Sequence, residues 1–126
     1  FRNIIVEAGK TFQVKTFTVT AIEIFHGKLP ILGYRINNLA YLTDCSYIPE
    51  ASFAYLENLD VLVLDALRER PHPTHFSLSE AVEAAQRIGA RQTYFIHLTH
   101  KLEHEATNAS LPPTIQLAYD GLVVSL

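Results

Sequence analysis

The chain of 126 residues contains no methionine, one cysteine, and no apolar run near the roughly 18 residues that a membrane-spanning helix requires. A lone thiol, Cys45, cannot close a disulfide within the chain. That excludes a small disulfide-built secreted scaffold and suits a reducing, cytoplasmic compartment. A basic stripe is also missing. Lys and Arg number 10 against 13 Asp and Glu, the net charge is −3, and only Arg68 and Arg70 stand close together. A grip on nucleic-acid phosphates is therefore not expected. The N-terminus lacks the charged, apolar and small-residue zones of a signal peptide, and there is no repeat, linker or low-complexity tract. Because the chain opens at Phe1 and holds no methionine, an initiator segment of unknown length is expected to precede it.

What is present describes an ordinary globular class: 48% of the residues are hydrophobic and 18% charged, a balance unlike that of disordered or collagen-like chains. A chain of this length fits one domain and buries about two-thirds of its unfolded surface.

The first third reads as a β-meander, with strands expected at 3–7, 11–14, 17–25, 33–36 and 39–42 and a turn at Asn37 and Asn38. Pro49 is expected to open a helix running to about residue 58, with Ser46 in capping range. From Asp60 the pattern turns into a β-α-β unit: strand 61–64, helix 77–88 and strand 93–96. Ser77 followed by Glu80 matches the capping box, and Gly89 stands where a helix commonly stops. Ala81, Val82, Ala84, Ala85 and Ile88 supply the apolar stripe of that helix. A short helix after Lys101, a break at Pro112-Pro113, and two strands turning at Asp120-Gly121 complete the reading.

Three residues with metal-ligand chemistry, His26, Asp44 and His97, each follow a strand-like run: FTVTAIEIF, LAYLT and RQTYFI. One sheet edge could gather them into a metal site, because imidazole and carboxylate ligands leave coordination positions open for water. Taken singly, each also reads as an ordinary satisfied polar residue. Asp65, after another strand, could orient a ligand histidine or cap a loop. His72 reads as solvated loop. His100 and His104 follow His97 at helical spacing, yet His97 ends a strand, so at most a hydrogen bond from His100 to a ligand is expected. Lys28, Arg68 and Arg70 either meet a substrate phosphate or are solvated. Cys45 opens a rival reading, a thiol hydrolase, although no basic neighbour favours its thiolate.

Read in order, the strings FHGKLPILGYRI, YLTDCSYIPE, DVLVLDA, THFSLSEAVEAA and FIHLTH, with the closing YDG, resemble the second half of a metallo-β-lactamase-fold hydrolase. Within that superfamily the strings resemble in particular the branch containing the phosphoribosyl cyclic phosphodiesterase of the carbon-phosphorus lyase pathway. Transfer-RNA 3′-processing nuclease is a more distant relative. The resemblance implies an α/β fold of αββα type, with residues 1–126 as the C-terminal portion of its domain: a mixed sheet with flanking helices.

It further implies His26 as the ligand completing a three-histidine metal site, Asp44 as a carboxylate bridging two ions, and His97 as a ligand of the second ion. His75, in THFSL, matches a histidine that is not a ligand and donates a proton to the leaving group; read from its position alone, it is a neighbour of a helix N-terminus. The implied reaction is phosphodiester hydrolysis of a small substrate by two Zn or Mn ions. The family's other ligands come from a His-x-His-x-Asp-His string, which is absent here. About half of a dinuclear site is expected in this chain, with weak metal binding and no turnover of its own. The alternative reading is a non-catalytic structural module, and an uncovered apolar sheet face leads to the expectation of a homo-oligomer.

Overall fold

Sequence neighbours are also spatial neighbours in the computed structural model, where seven strands lie in one sheet in the order in which the chain makes them. The structure describes residues 5–67, 72–98 and 104–126. Strands β1 (Thr11–Val14), β2 (Phe17–His26), β3 (Leu29–Ile36) and β4 (Leu39–Leu42) run antiparallel. With β4, the strands β5 (Val61–Asp65), β6 (Gln92–Ile96) and β7 (Ile115–Leu117) form a parallel set. Parallel neighbours need crossovers, supplied by a 3-10 helix (Glu50–Leu56), helix α1 (Leu78–Ile88) and helix α2 (His104–Ser110). The mixed sheet with flanking helices is the expected α/β architecture.

Alternation along the strands sends Ile22 and Ile24 of β2, Ala40 and Leu42 of β4, Leu62 and Leu64 of β5 and Phe95 of β6 into one core. Helix α1 closes this face with Ala81 and Ala85. Its start is the capping box expected from the sequence: Glu80 N–H donates to Ser77 Oγ, and Ser77 N–H donates to the Glu80 carboxylate. Gly89 ends it in the left-handed region, φ 70°, with its N–H bonded to Ala85 O. Gly33 lies in β3 directly beneath Leu42, whose methyl group occupies the space a Cβ would need.

The opposite face has no helix on it among the described residues. Cross-strand pairing lines up Tyr34, Tyr41, Val63 and Tyr94 there, and Tyr41 is 42% exposed.

Four sequence expectations differ from the structure. Residues 5–7 join no ladder and Ile5 is 87% exposed, while Asn3 and Ile4 lie outside the described residues. Strand β3 begins at Leu29 rather than Gly33, straight through Pro30. Proline is tolerated there because its partner Phe25 directs its own N–H and C=O away from β3, to Tyr47 O and Ser46 N, so no ladder bond is lost.

The segment after Pro49 is a 3-10 helix, not an α-helix, with Pro49 outside it at ψ 148°. Ser46 does not cap it; its hydroxyl accepts from Gly27 N–H and donates to Phe25 O. Asp120-Gly121 does make a turn, closed by Leu122 N–H to Tyr119 O, but residues 122–126 pair with no strand. A hairpin dipeptide sets the turn; a second strand also needs a free, complementary edge.

Candidate metal centre

The carboxyl ends of β4, β5 and β6 converge, the position at which open α/β sheets bind ligands. Just past two of these ends stand residues with ligand chemistry, two positions on from β4 and one from β6. Asp44 (φ 58°) follows β4 and His97 (φ 64°) follows β6, both in the left-handed region that side-chain-bearing residues seldom occupy. Such backbone is held by its surroundings and clusters at functional sites. Asp65 is the last residue of β5 and is fully buried.

Backbone bonds tie the pieces together. Cys45 N–H donates to Asp65 Oδ1 at 2.9 Å, Phe76 N–H donates to Cys45 O at 2.8 Å, and Ala66 N–H donates to Ile96 O at 3.0 Å. The loop after β4 also crosses to the outer edge of β2, where Tyr47 bridges Phe25, and so brings Asp44 towards the end of the strand that carries His26.

His75 is the hub. Its ring stacks on His97 with centroids 4.6 Å apart and an interplanar angle of 25°, and meets His26 edge-on at 4.9 Å. Asp44 Oδ1 lies 3.6 Å from His97 Nε2 and 3.9 Å from His75 Nδ1. Donor atoms of Asp44, His75 and His97 all lie within 4.8 Å of one another. Of the three ligands expected from the sequence, Asp44 and His97 are brought together. His26 stands beside His75 but outside this tightest group, and His75, expected as a proton donor, lies inside it. A carboxylate with imidazoles at these separations is a donor set that suits a divalent transition metal.

Beneath the cluster, His75 Nδ1 and Asp65 Oδ2 face each other at 3.4 Å. Neither atom has a hydrogen-bond partner among the described residues, and both are buried. Burial pushes the Asp65 carboxyl up to about 7; N–H donors from Cys45 and Phe76 work against the rise, and the charge of Asp44 adds to it. His75 is held below the ordinary histidine range, first by burial and then by the neighbouring imidazoles of His97 and His26, with Asp44 opposing. Both shifts favour a neutral pair. An acid and an imidazole this close titrate as a coupled pair, not as two independent groups.

The sequence reading left Asp65 between orienting a ligand histidine and capping a loop. The structure has it do something of each: one oxygen faces His75 of the cluster, and the other accepts the Cys45 N–H in the loop after β4. A clue was present, since an acid ending the otherwise apolar run VLVLD must find a buried partner.

His72 also differs from expectation. It is half-buried, 5.3 Å from His75 between ring centroids, and its Nδ1 accepts Thr74 N–H at 3.2 Å. Cys45 is fully buried and its thiol is pushed up to about 12, first by burial and then by Asp65. It carries no thiolate at neutral pH, which removes the thiol-hydrolase reading. Lys28 is exposed in the β2–β3 turn. Arg68, Arg70 and His100 lie outside the described residues, and His104 opens α2.

Residues 2–98 match the sequence profile of the beta-lactamase superfamily domain. The chain belongs to that family. The fold agrees: over 95% of this chain the structure superposes on "a New Diphosphatase from the PhnP Family" with a TM-score of 0.92 and 44% identity, covering 47% of that protein. Human tRNase Z, short form, shares the fold at TM-score 0.69 and 19% identity over 90% of this chain and 45% of its own. A Porphyromonas gingivalis protein named octanoyltransferase is 38% identical over 119 residues, 93% of this chain and 24% of that protein. The chain thus spans about half the length of these structural relatives and a quarter of the octanoyltransferase. The resemblance to metallo-β-lactamase-fold hydrolases stands, in both family and fold. Among the described residues, no helix is long and apolar enough to cross a membrane.

Proposed function

We propose that this chain is the C-terminal portion of a cytoplasmic, metal-dependent phosphodiesterase acting on small substrates. The observation that carries the reading is the convergence of Asp44, His75 and His97 within 4.8 Å at the strand ends, with Asp65 braced behind His75. Likeness to a diphosphatase over nearly the whole chain supports the phosphoester class. Asp44, His97 and His26 would hold divalent ions, Zn or Mn, in company with ligands supplied by other parts of the protein. When bound, such ions polarise phosphoryl oxygens and bring the pKa of a coordinated water towards 7, about nine units below bulk water.

The remaining chemistry belongs to side chains on the page. His75 protonates the departing alkoxide, a service typically worth about 10²- to 10⁴-fold. Asp65 Oδ2 faces Nδ1 of that ring, so that the carboxyl proton can pass to Nδ1 as Nε2 gives up its own to the leaving group. Burial excludes water from the pair and favours its uncharged form. Asp44 and His97, in strained backbone at the ends of rigid strands, are held in place for ligation without further ordering.

The test is hydrolysis of a bis-aryl phosphate by the metal-loaded full-length protein, abolished by chelator and restored by Zn or Mn. Activity that survives complete metal removal would sink the reading. Acyl transfer, the activity in the name of the Porphyromonas relative, finds no nucleophile in Cys45.

A second reading, a non-catalytic assembly module, is favoured by one observation: the uncovered face bearing Tyr34, Tyr41, Val63 and Tyr94. On this reading the 126-residue chain associates with itself through that face. A monomer by light scattering at micromolar concentration would count against it.

A further inference from the structure

We propose that His72 is a substrate-contacting residue, whose Nε2–H donates a hydrogen bond to a non-bridging phosphoryl oxygen beside His75. The inference rests on the phosphodiesterase reading and adds a residue to it. Its basis is the tautomer that the loop imposes. Thr74 N–H is a backbone donor and points at His72 Nδ1 from 3.2 Å, so Nδ1 must offer a lone pair. The same nitrogen lies 3.2 Å from Thr74 Oγ1, which can donate as well. An imidazole with an accepting Nδ1 carries its proton on Nε2. The ring therefore presents a fixed donor at Nε2.

Position gives that donor its use. The His72 ring lies 5.3 Å from His75 and tilted 55° to it, while His75 stacks on His97. His72 thus flanks the metal cluster on the side of the proton donor. Among the described residues, no group is hydrogen-bonded to its Nε2. The loop is also confined: a Cβ on Gly27, at the β2–β3 turn, would come within 3.1 Å of Thr74 Cγ2. Phe76 is fixed to Cys45 and Leu67 by backbone bonds. A donor held by its neighbours, needing no reorganisation as charge builds on a phosphoryl group, is the arrangement that stabilises such charge most effectively.

Two substitutions separate this role from a purely structural one. His72→Asn keeps an acceptor for Thr74 N–H, because asparagine forms the same i to i+2 turn bond, but loses the remote donor. His72→Gln loses that acceptor and keeps a donor near the position of Nε2. In the metal-loaded full-length protein, H72N should raise KM and the inhibition constant of inorganic phosphate about 10- to 100-fold, the loss of one hydrogen bond to a charged oxygen, while H72Q recovers most of it.

The reverse order, H72N close to wild type and H72Q impaired, would show a loop staple and overturn the proposal. Imidazole proton–nitrogen correlation spectra of wild type supply a readout free of turnover. Phosphate should shift the His72 Nε2–H resonance in wild type; equal losses in both variants with that resonance unmoved would also overturn it. A wild type that hydrolyses no phosphodiester yet shows the shift would reject the functional reading and leave His72 as a phosphate contact.

Discussion

The antiparallel half of the sheet and the parallel half are built from the same kinds of residue and do different work. Strands β1 to β3 turn back through hairpins, so their ends are taken up by tight turns, and of the clustered residues only His26 comes from them. Strands β4 to β6 all point the same way, so their carboxyl ends open at one place, and Asp44, Asp65 and His97 meet there. The lesson concerns direction. Parallel strands pool their ends; antiparallel strands spend them on each other.

The sharpest way to break this contrast is to disturb one half at a time. Asp44→Ala, in the parallel half, should lower phosphodiesterase activity of the metal-loaded protein by about 10³-fold or more, the several kcal/mol that metal polarisation supplies. Metal stoichiometry by elemental analysis should fall with it, and thermal stability of the metal-free protein should change little. His75→Ala should cost about 10²- to 10⁴-fold with alkyl leaving groups. The deficit should shrink with a nitrophenyl leaving group, which needs no proton; equal deficits would mean that His75 is not the acid.

On the other side, Ile22→Ala in β2 should cost about 2–5 kcal/mol in denaturant unfolding, because a fully buried side chain leaves a cavity. Specific activity of the folded fraction should hold. Gly33→Ala should also destabilise, since Leu42 fills the space of the new methyl group.

Asp65→Asn sharpens the comparison, because its two effects have opposite sign. Folding raises this carboxyl from its ordinary 3.8 to about 7, so the folded state binds the proton more tightly than the unfolded state. The wild type therefore loses stability as pH rises from about 4 to 7 and loses no more from this group above that. Asparagine can still accept Cys45 N–H but has no charge to bury. In chelator, the variant's stability relative to wild type should be greater at pH 8 than at pH 5 by about 2–3 kcal/mol, while its activity falls. A pH-independent difference would mean that Asp65 does not titrate in this range. The smallest effect belongs to the surface: Tyr41→Lys on the uncovered face should shift any oligomer towards monomer in light scattering, with the fold unchanged.

Helix α1 was legible residue by residue, because Ser77, Glu80 and Gly89 act through local bonds that any helix start and stop can make. The meander and the β-α-β unit were legible for a similar reason: alternation and turn residues are local signals. The start of β3 was not, because whether Pro30 breaks a strand depends on where Phe25 directs its backbone. The missing last strand depends likewise on an edge far away in sequence. At the site, His26, Asp44 and His97 could be chosen by type and by position after strands. His72 could not, since its tautomer is set by Thr74 and its use by the nearness of His75.

The residues alone determined which segments alternate, where helix α1 starts and stops, and which positions after strands carry imidazole or carboxylate groups, because those properties lie within a few neighbours along the chain. Only the tertiary structure decided that Asp65 and His75 share a buried contact, that Cys45 is sealed from reaction, and that His72 stands beside the cluster. Proton affinity and access depend on what surrounds a group in space, and packing brings those surroundings from strands and loops that are distant in sequence.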